Sequence, residues 1–95
     1  MYYEYTNIII HTSDNNILKM KLTSRLGDSA WCAVLSNALK GHNVVSQTEY
    51  HSMEGFEGRV VCVRLNENIL GGRTLINKIE TIVLERTGCC GTQFL

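Results

Sequence analysis

Residues 71 to 74 read Gly-Gly-Arg-Thr, a combination able to hold an anion. The run lies where an apolar strand-like segment gives way to a helix-like one. A helix N-terminus presents unpaired backbone N–H groups and the positive end of the helix dipole. Gly71 and Gly72 would let a ligand approach the backbone closely, Arg73 could grip a phosphate or carboxylate bidentately, and Thr74 adds a hydroxyl. This expectation names a site for a phosphorylated or otherwise anionic small ligand, for example a nucleotide. The motif is far shorter than a full phosphate loop, and the same glycines also serve as a plain turn. A similar corner at Leu26-Gly27 is followed by Asp28, whose charge repels an anion, so that corner is expected only to cap a helix.

Other reactive side chains are present but unordered. Cys32, Cys62, Cys89 and Cys90 accompany His11, His42 and His51. Thiol catalysis needs a thiolate beside a base, and no spacing pairs these groups. Cys89 and Cys90 are adjacent and have no Cys-x-x-Cys partner pair for a closed zinc site, so they are expected to be free thiols. Neither a metal nor a cofactor is implied. Glu49, Glu54, Glu57, Glu67, Glu80 and Glu85 are scattered and suggest no paired-carboxylate chemistry. The segment "HSMEGFEG", residues 51–58, is more suggestive. Met53 and Phe56 stand between Gly and Glu near a hairpin tip, where an aromatic ring either folds back or contacts a partner.

The elements that must carry these groups follow from period and punctuation. Tyr2 to Thr12 is rich in aromatic and β-branched residues and reads as a strand. Residues 13–16, Ser-Asp-Asn-Asn, are turn chemistry, and "ILKMKLTS" alternates strictly, which completes a hairpin. In "DSAWCAVLSNALKG" the period becomes helical, with Trp31, Val34, Leu35, Ala38 and Leu39 on one face. Asp28 or Ser29 is expected to cap its start and Gly41 its end. The pattern then repeats: a strand at "NVVSQTEYH", a loop, a strand at "RVVCVRL", and a helix over "GRTLINKIETIVLERTG". That helix carries Leu75, Ile76, Ile79, Ile82 and Val83 as its core stripe, and Gly88 ends it. The tail "CCGTQFL" reads as a short edge strand or a docked segment, with Phe94 and Leu95 held down.

The expected fold is α+β, a single domain over residues 1–95 with possible halves at 1–43 and 44–95. It is drawn as two ββα units forming a four-stranded antiparallel sheet with both helices on one face. The alternative is another α+β sandwich in which the likeness of the halves is accidental. On the bare face Tyr3, Tyr5, Ile9 and His11 lie together, and Val60 and Cys62 oppose the Val61 set. An apolar second face on so small a domain predicts self-association, most simply as a dimer.

Bulk properties narrow the function. The 95 residues carry no net charge and are 44% hydrophobic, against disorder and against a nucleic-acid binder, which normally has a basic excess. "MYYEYTNIII" has neither the basic leader nor the cleavage site of a signal peptide, and no run is long enough for a membrane span. The expectation is a small cytoplasmic, non-enzymatic protein-interaction or inhibitor module acting as a homo-oligomer. The alternative is the anion-binding protein built on Gly71, Gly72, Arg73 and Thr74.

Overall fold

A computed structural model describes residues 2–88 and 91–94. Strand β1 (Tyr2–His11) turns back into β2 (Ile17–Gly27). The turn is made by Asn15 in the left-handed region at φ 63°, a conformation Asn tolerates better than most residues. Thr12 braces it, its hydroxyl donating to Asp14 Oδ1 at 2.5 Å and its backbone N–H to the Asn16 carbonyl at 3.0 Å. Helix α1 (Asp28–Leu39), strand β3 (Val44–Tyr50), strand β4 (Arg59–Leu65), helix α2 (Ile69–Thr87) and strand β5 (Gly91–Phe94) follow.

The sheet is five-stranded and mixed, in the order β3-β4-β1-β2-β5. β1 and β4 run parallel, while β1–β2, β3–β4 and β2–β5 are antiparallel. This corrects the expectation of four antiparallel strands. The two hairpins meet through their most apolar members, the Ile8-Ile9-Ile10 run and the Val60-Val61-Cys62-Val63 run. Strands apolar on both sides gain most from a central position, where parallel pairing is commonest. The tail adds β5, although Phe94 is exposed rather than docked. Leu95, Cys89 and Cys90 lie outside the described residues, and with them the expectation of free thiols at 89 and 90.

Both helices pack on one sheet face. Trp31, Val34, Leu35 and Ala38 of α1 join Leu75, Ile76, Ile79 and Val83 of α2 over Ile8, Ile10, Met20, Leu22, Val61, Val63 and Leu65. Burying each large apolar side chain contributes about 1.5–3 kcal/mol. α1 ends on an extended C-cap at Lys40 rather than on Gly41, which follows at φ +82° in the next turn, while Gly88 at φ +75° closes α2 as expected, its N–H meeting the Leu84 carbonyl at 2.8 Å. The start of α1 differs from expectation: Gly27 is its N-cap and no side chain caps it. The Asp28 carboxylate turns to Arg59 instead.

The opposite face is partly covered by the chain itself. Ile9 and Val60 are buried there, outside the main core cluster. A register shift between Tyr3 and Tyr5 places Tyr3 opposite Leu26, a core residue, and so brings it to the helix side. The 51–58 loop closes down at its end: Asn7 Nδ2 donates to the Glu57 carbonyl at 2.5 Å and the Arg59 carbonyl at 3.3 Å. Gly58, at φ +83°, sits so close to β1 that a Cβ there would collide with the Tyr5 carbonyl. Much of the apolar surface that suggested self-association through this face is therefore covered within one chain. No described helix is long and apolar enough to cross a membrane.

Candidate functional site

The Gly-Gly-Arg-Thr segment is not a corner between strand and helix. β4 ends at Leu65 and α2 begins at Ile69 with Asn68 as N-cap, so Gly71 and Gly72 lie inside the first turn. Its donors are already engaged. Asn68 Oδ1 accepts from the N–H groups of Leu70 and Gly71 at 3.0 and 3.3 Å, and Asp14 Oδ2 accepts from Ile69 at 3.2 Å. The Glu67 side chain occupies the space a Cβ on Gly71 would need, and Gly72 is packed against Leu18 and Thr12. Thr74 returns its hydroxyl to the Leu70 carbonyl at 2.9 Å, and Arg73 is exposed. Two carboxylates thus stand where an anion would have to sit.

Those carboxylates are held ionised by the same contacts. The Thr12 hydroxyl, with Asn16 and the Ile69 N–H, lowers the Asp14 pKa from its ordinary value. The Asn43 backbone N–H lowers that of Glu67 against some burial, helped by His42, whose Nδ1 lies 2.9 Å from Glu67 Oε1. This local network ties the β1–β2 turn and the start of β3 to the first turn of α2. It is a brace for the fold.

Met53 and Phe56 are both half-buried in the 51–58 loop, joined by a turn in which the Phe56 N–H meets the Met53 carbonyl at 3.1 Å. Phe56 borders a shallow hollow on the helix-free face with Asn7, Lys21 and Gln93. Part of each side chain remains accessible.

β3 is one of the two edges of the sheet, β5 being the other. It is the outer strand beside β4, and every one of its residues is exposed. Ser46 to Tyr50 pair regularly with Arg64 to Val60, and a bulge at Val44–Ser46 ends the regular stretch. The backbone groups on its outer side have no strand to meet. Between β3 and α1 runs a groove of about 590 Å³, bordered by Cys32, Leu35 and Leu39 on the helix and by Gln47 and Glu49 on the strand. Trp31 Nε1 donates to Glu49 Oε1 at 3.0 Å across the end of this groove.

Behind that bond stands a buried cation. Arg59 is inaccessible to solvent, its guanidinium 4.7 Å from the Tyr3 ring centroid and 5.3 Å from that of Trp31. Its Nη2 donates to Asp28 Oδ1 at 3.0 Å and the Leu26 carbonyl at 3.4 Å, while Nε and Nη1 have no hydrogen-bond partner. Burial pushes the Asp28 carboxyl up, but hydrogen bonds and positive charge, Arg59 among them, prevail and lower its pKa overall. Tyr3 is fixed in turn by His51, its hydroxyl 2.6 Å from Nδ1 and the rings stacked. Asp28, Arg59, Trp31 and Glu49 therefore form a continuous support from the start of α1 to β3. The sequence reading passed over this set. Its signal was present in the alternation that puts Arg59 in phase with Val61, Val63 and Leu65, on the core side.

Among the described residues no group of three or more His, Cys, Asp or Glu side chains could hold a metal ion. Cys32 and Cys62 are free thiols, the latter with its pKa raised by burial. No protein-family model, curated protein or solved structure matches this chain.

Proposed function

We propose that this protein is a non-enzymatic protein-interaction module that takes up an extended segment of a polypeptide as a further strand beside β3. One observation carries the reading: a seven-residue outer strand, exposed along its whole length, with neither Lys nor Pro to guard it against pairing. Edge strands are ordinarily blunted by Lys, Pro or inward charges. Here the only charged side chain is Glu49, and Trp31 holds it. The bulge at Val44–Ser46 protects one end and leaves Ser46 to Tyr50 flat. In strand addition the main-chain hydrogen bonds, about 1 kcal/mol each, supply affinity, and pockets for alternate side chains supply selectivity. The α1–β3 groove is placed to receive such side chains, whereas Phe56 borders β1, β2 and β5 and lies away from this edge. A reducing, cytoplasmic setting suits the free thiols at Cys32 and Cys62.

The test is selection of peptides from a displayed random library, followed by two neighbouring variants, Gln47→Pro and Thr48→Pro. Backbone N–H groups along a strand alternate between its two neighbours, so one proline removes a β4 bond and the other an outward donor. The variant that keeps native stability is the outward one. It should lose binding of the selected peptides, whereas Arg73→Ala should retain it. Selected peptides indifferent to the outward proline, or a failure to select any, would overturn the proposal.

A further inference from the structure

We infer that the strand β3 receives is β3 of a second copy, paired antiparallel about a two-fold axis through Thr48. This rests on the reading of β3 as an interaction edge. The regular stretch Ser46–Tyr50 is bounded by the bulge on one side and the 51–58 loop on the other. Pairing that stretch with itself in full and antiparallel admits one register: Ser46 opposite Tyr50, Gln47 opposite Glu49, and Thr48 opposite its own counterpart.

The register is complementary at each position. Ser46, Thr48 and Tyr50 pair with Arg64, Cys62 and Val60, so all three lie on the helix-free face. Gln47 and Glu49 pair with Val63 and Val61 and lie on the helix face. A two-fold axis perpendicular to the sheet keeps each set on its own side. Each Gln47 amide then stands beside the Glu49 carboxylate of the other copy, a donor against an acceptor. The carboxylate accepts the Trp31 bond through Oε1, and a second oxygen can serve the amide. Thr48 meets Thr48 as a hydroxyl pair of the kind that favours strand pairing. No like charges oppose one another, and the chain's net charge of zero sets up no long-range repulsion between copies. The result is one continuous sheet through two chains, with the helices of both on the same side.

Light scattering and native mass spectrometry of the full chain test this directly. The wild type should be a dimer. Thr48→Lys and Thr48→Glu each place like charges about 5 Å apart on the axis and should weaken dimerisation about fivefold or more. Position 48 is exposed, so both variants should remain folded by circular dichroism. An equimolar mixture of the two should restore dimers, and those dimers should carry the mixed mass. A dimer that survives both single variants, or one that the mixture does not restore, would overturn the inference. A wild type that stays monomeric at millimolar concentration while selected peptides still bind through the outward edge would also overturn it, leaving the strand-addition reading intact. Peptides that fail to bind while the charge-swap pattern holds would instead retire peptide capture and keep self-pairing.

Discussion

Arg59 is the residue on which the positioning of the β3 surface is most exposed to challenge. Its side chain is inaccessible, packed between Tyr3 and Trp31, and two of its nitrogens have no hydrogen-bond partner. Replacing it with Ala removes the whole stem and leaves a cavity beneath Trp31. Large-to-small changes at buried positions cost about 2–5 kcal/mol, and a value of about 3 suits a site whose neighbours are rings that cannot collapse inward. For a domain of this size that lowers Tm by roughly 12–24 °C. Replacing it with Met keeps most of the volume and removes a cation whose desolvation is only partly offset. Exchanging a buried ion for an apolar side chain of similar size is often neutral or stabilising, and Asp28 is about half exposed, with side-chain exposure of 47%, so water can reach it. Arg59→Met should therefore stay within about 1 kcal/mol of wild type. The assay is urea unfolding followed by Trp31 fluorescence, the protein having one tryptophan. If Met is as damaging as Ala, packing is not what Arg59 provides, and its hydrogen bonds and charge dominate instead.

Three further outcomes follow from the first turn of α2 and its neighbours. Gly72→Val should destabilise the fold by about 1–3 kcal/mol through overpacking against Leu18 and Thr12, whereas Arg73→Ala should change stability by less than about 0.5 kcal/mol; thermal melts of both report this. Asn68→Ala should cost about 1 kcal/mol, because two N–H groups lose their acceptor, readable as a lower urea midpoint at unchanged slope. Asp14, Asp28 and Glu67 all have depressed pKa values in the folded state. The stability they provide is present above their unfolded values near 3.8 and 4.5 and is lost as pH falls through the folded ones. Urea midpoints should therefore fall on acidification below about pH 4.5, and Glu67→Gln should flatten that fall.

Much of the fold could be read along the chain because local patterns decided it. The alternation of Leu18, Met20 and Leu22, the Trp31–Val34–Leu35–Ala38 stripe and the left-handed glycines 41 and 88 each act over a few residues. Strand order does not. That β1 and β4 lie side by side depends on which strands are apolar on both faces. The unbroken Ile8–Ile10 and Val60–Val63 runs carried that information, though it is legible only when strands compete for the centre. The start of α2 was misplaced because Gly71 and Gly72 resemble a turn, while Asn68, a better cap, stands three residues earlier. The β3 edge was invisible for a different reason. Nothing in Val-Val-Ser-Gln-Thr-Glu-Tyr marks it as an outer strand until its neighbours are known, and its lack of Lys and Pro matters only once it is outermost.

Amide hydrogen exchange across the whole chain, compared between dilute and concentrated protein and with or without a selected peptide, tests the central claim most directly. If β3 is the interaction edge, alternate amides between Ser46 and Tyr50 should exchange freely in dilute protein and become protected on association, with the 68–74 segment unchanged. Protection that appears at 68–74 instead, with β3 amides exchanging as before, would contradict the account.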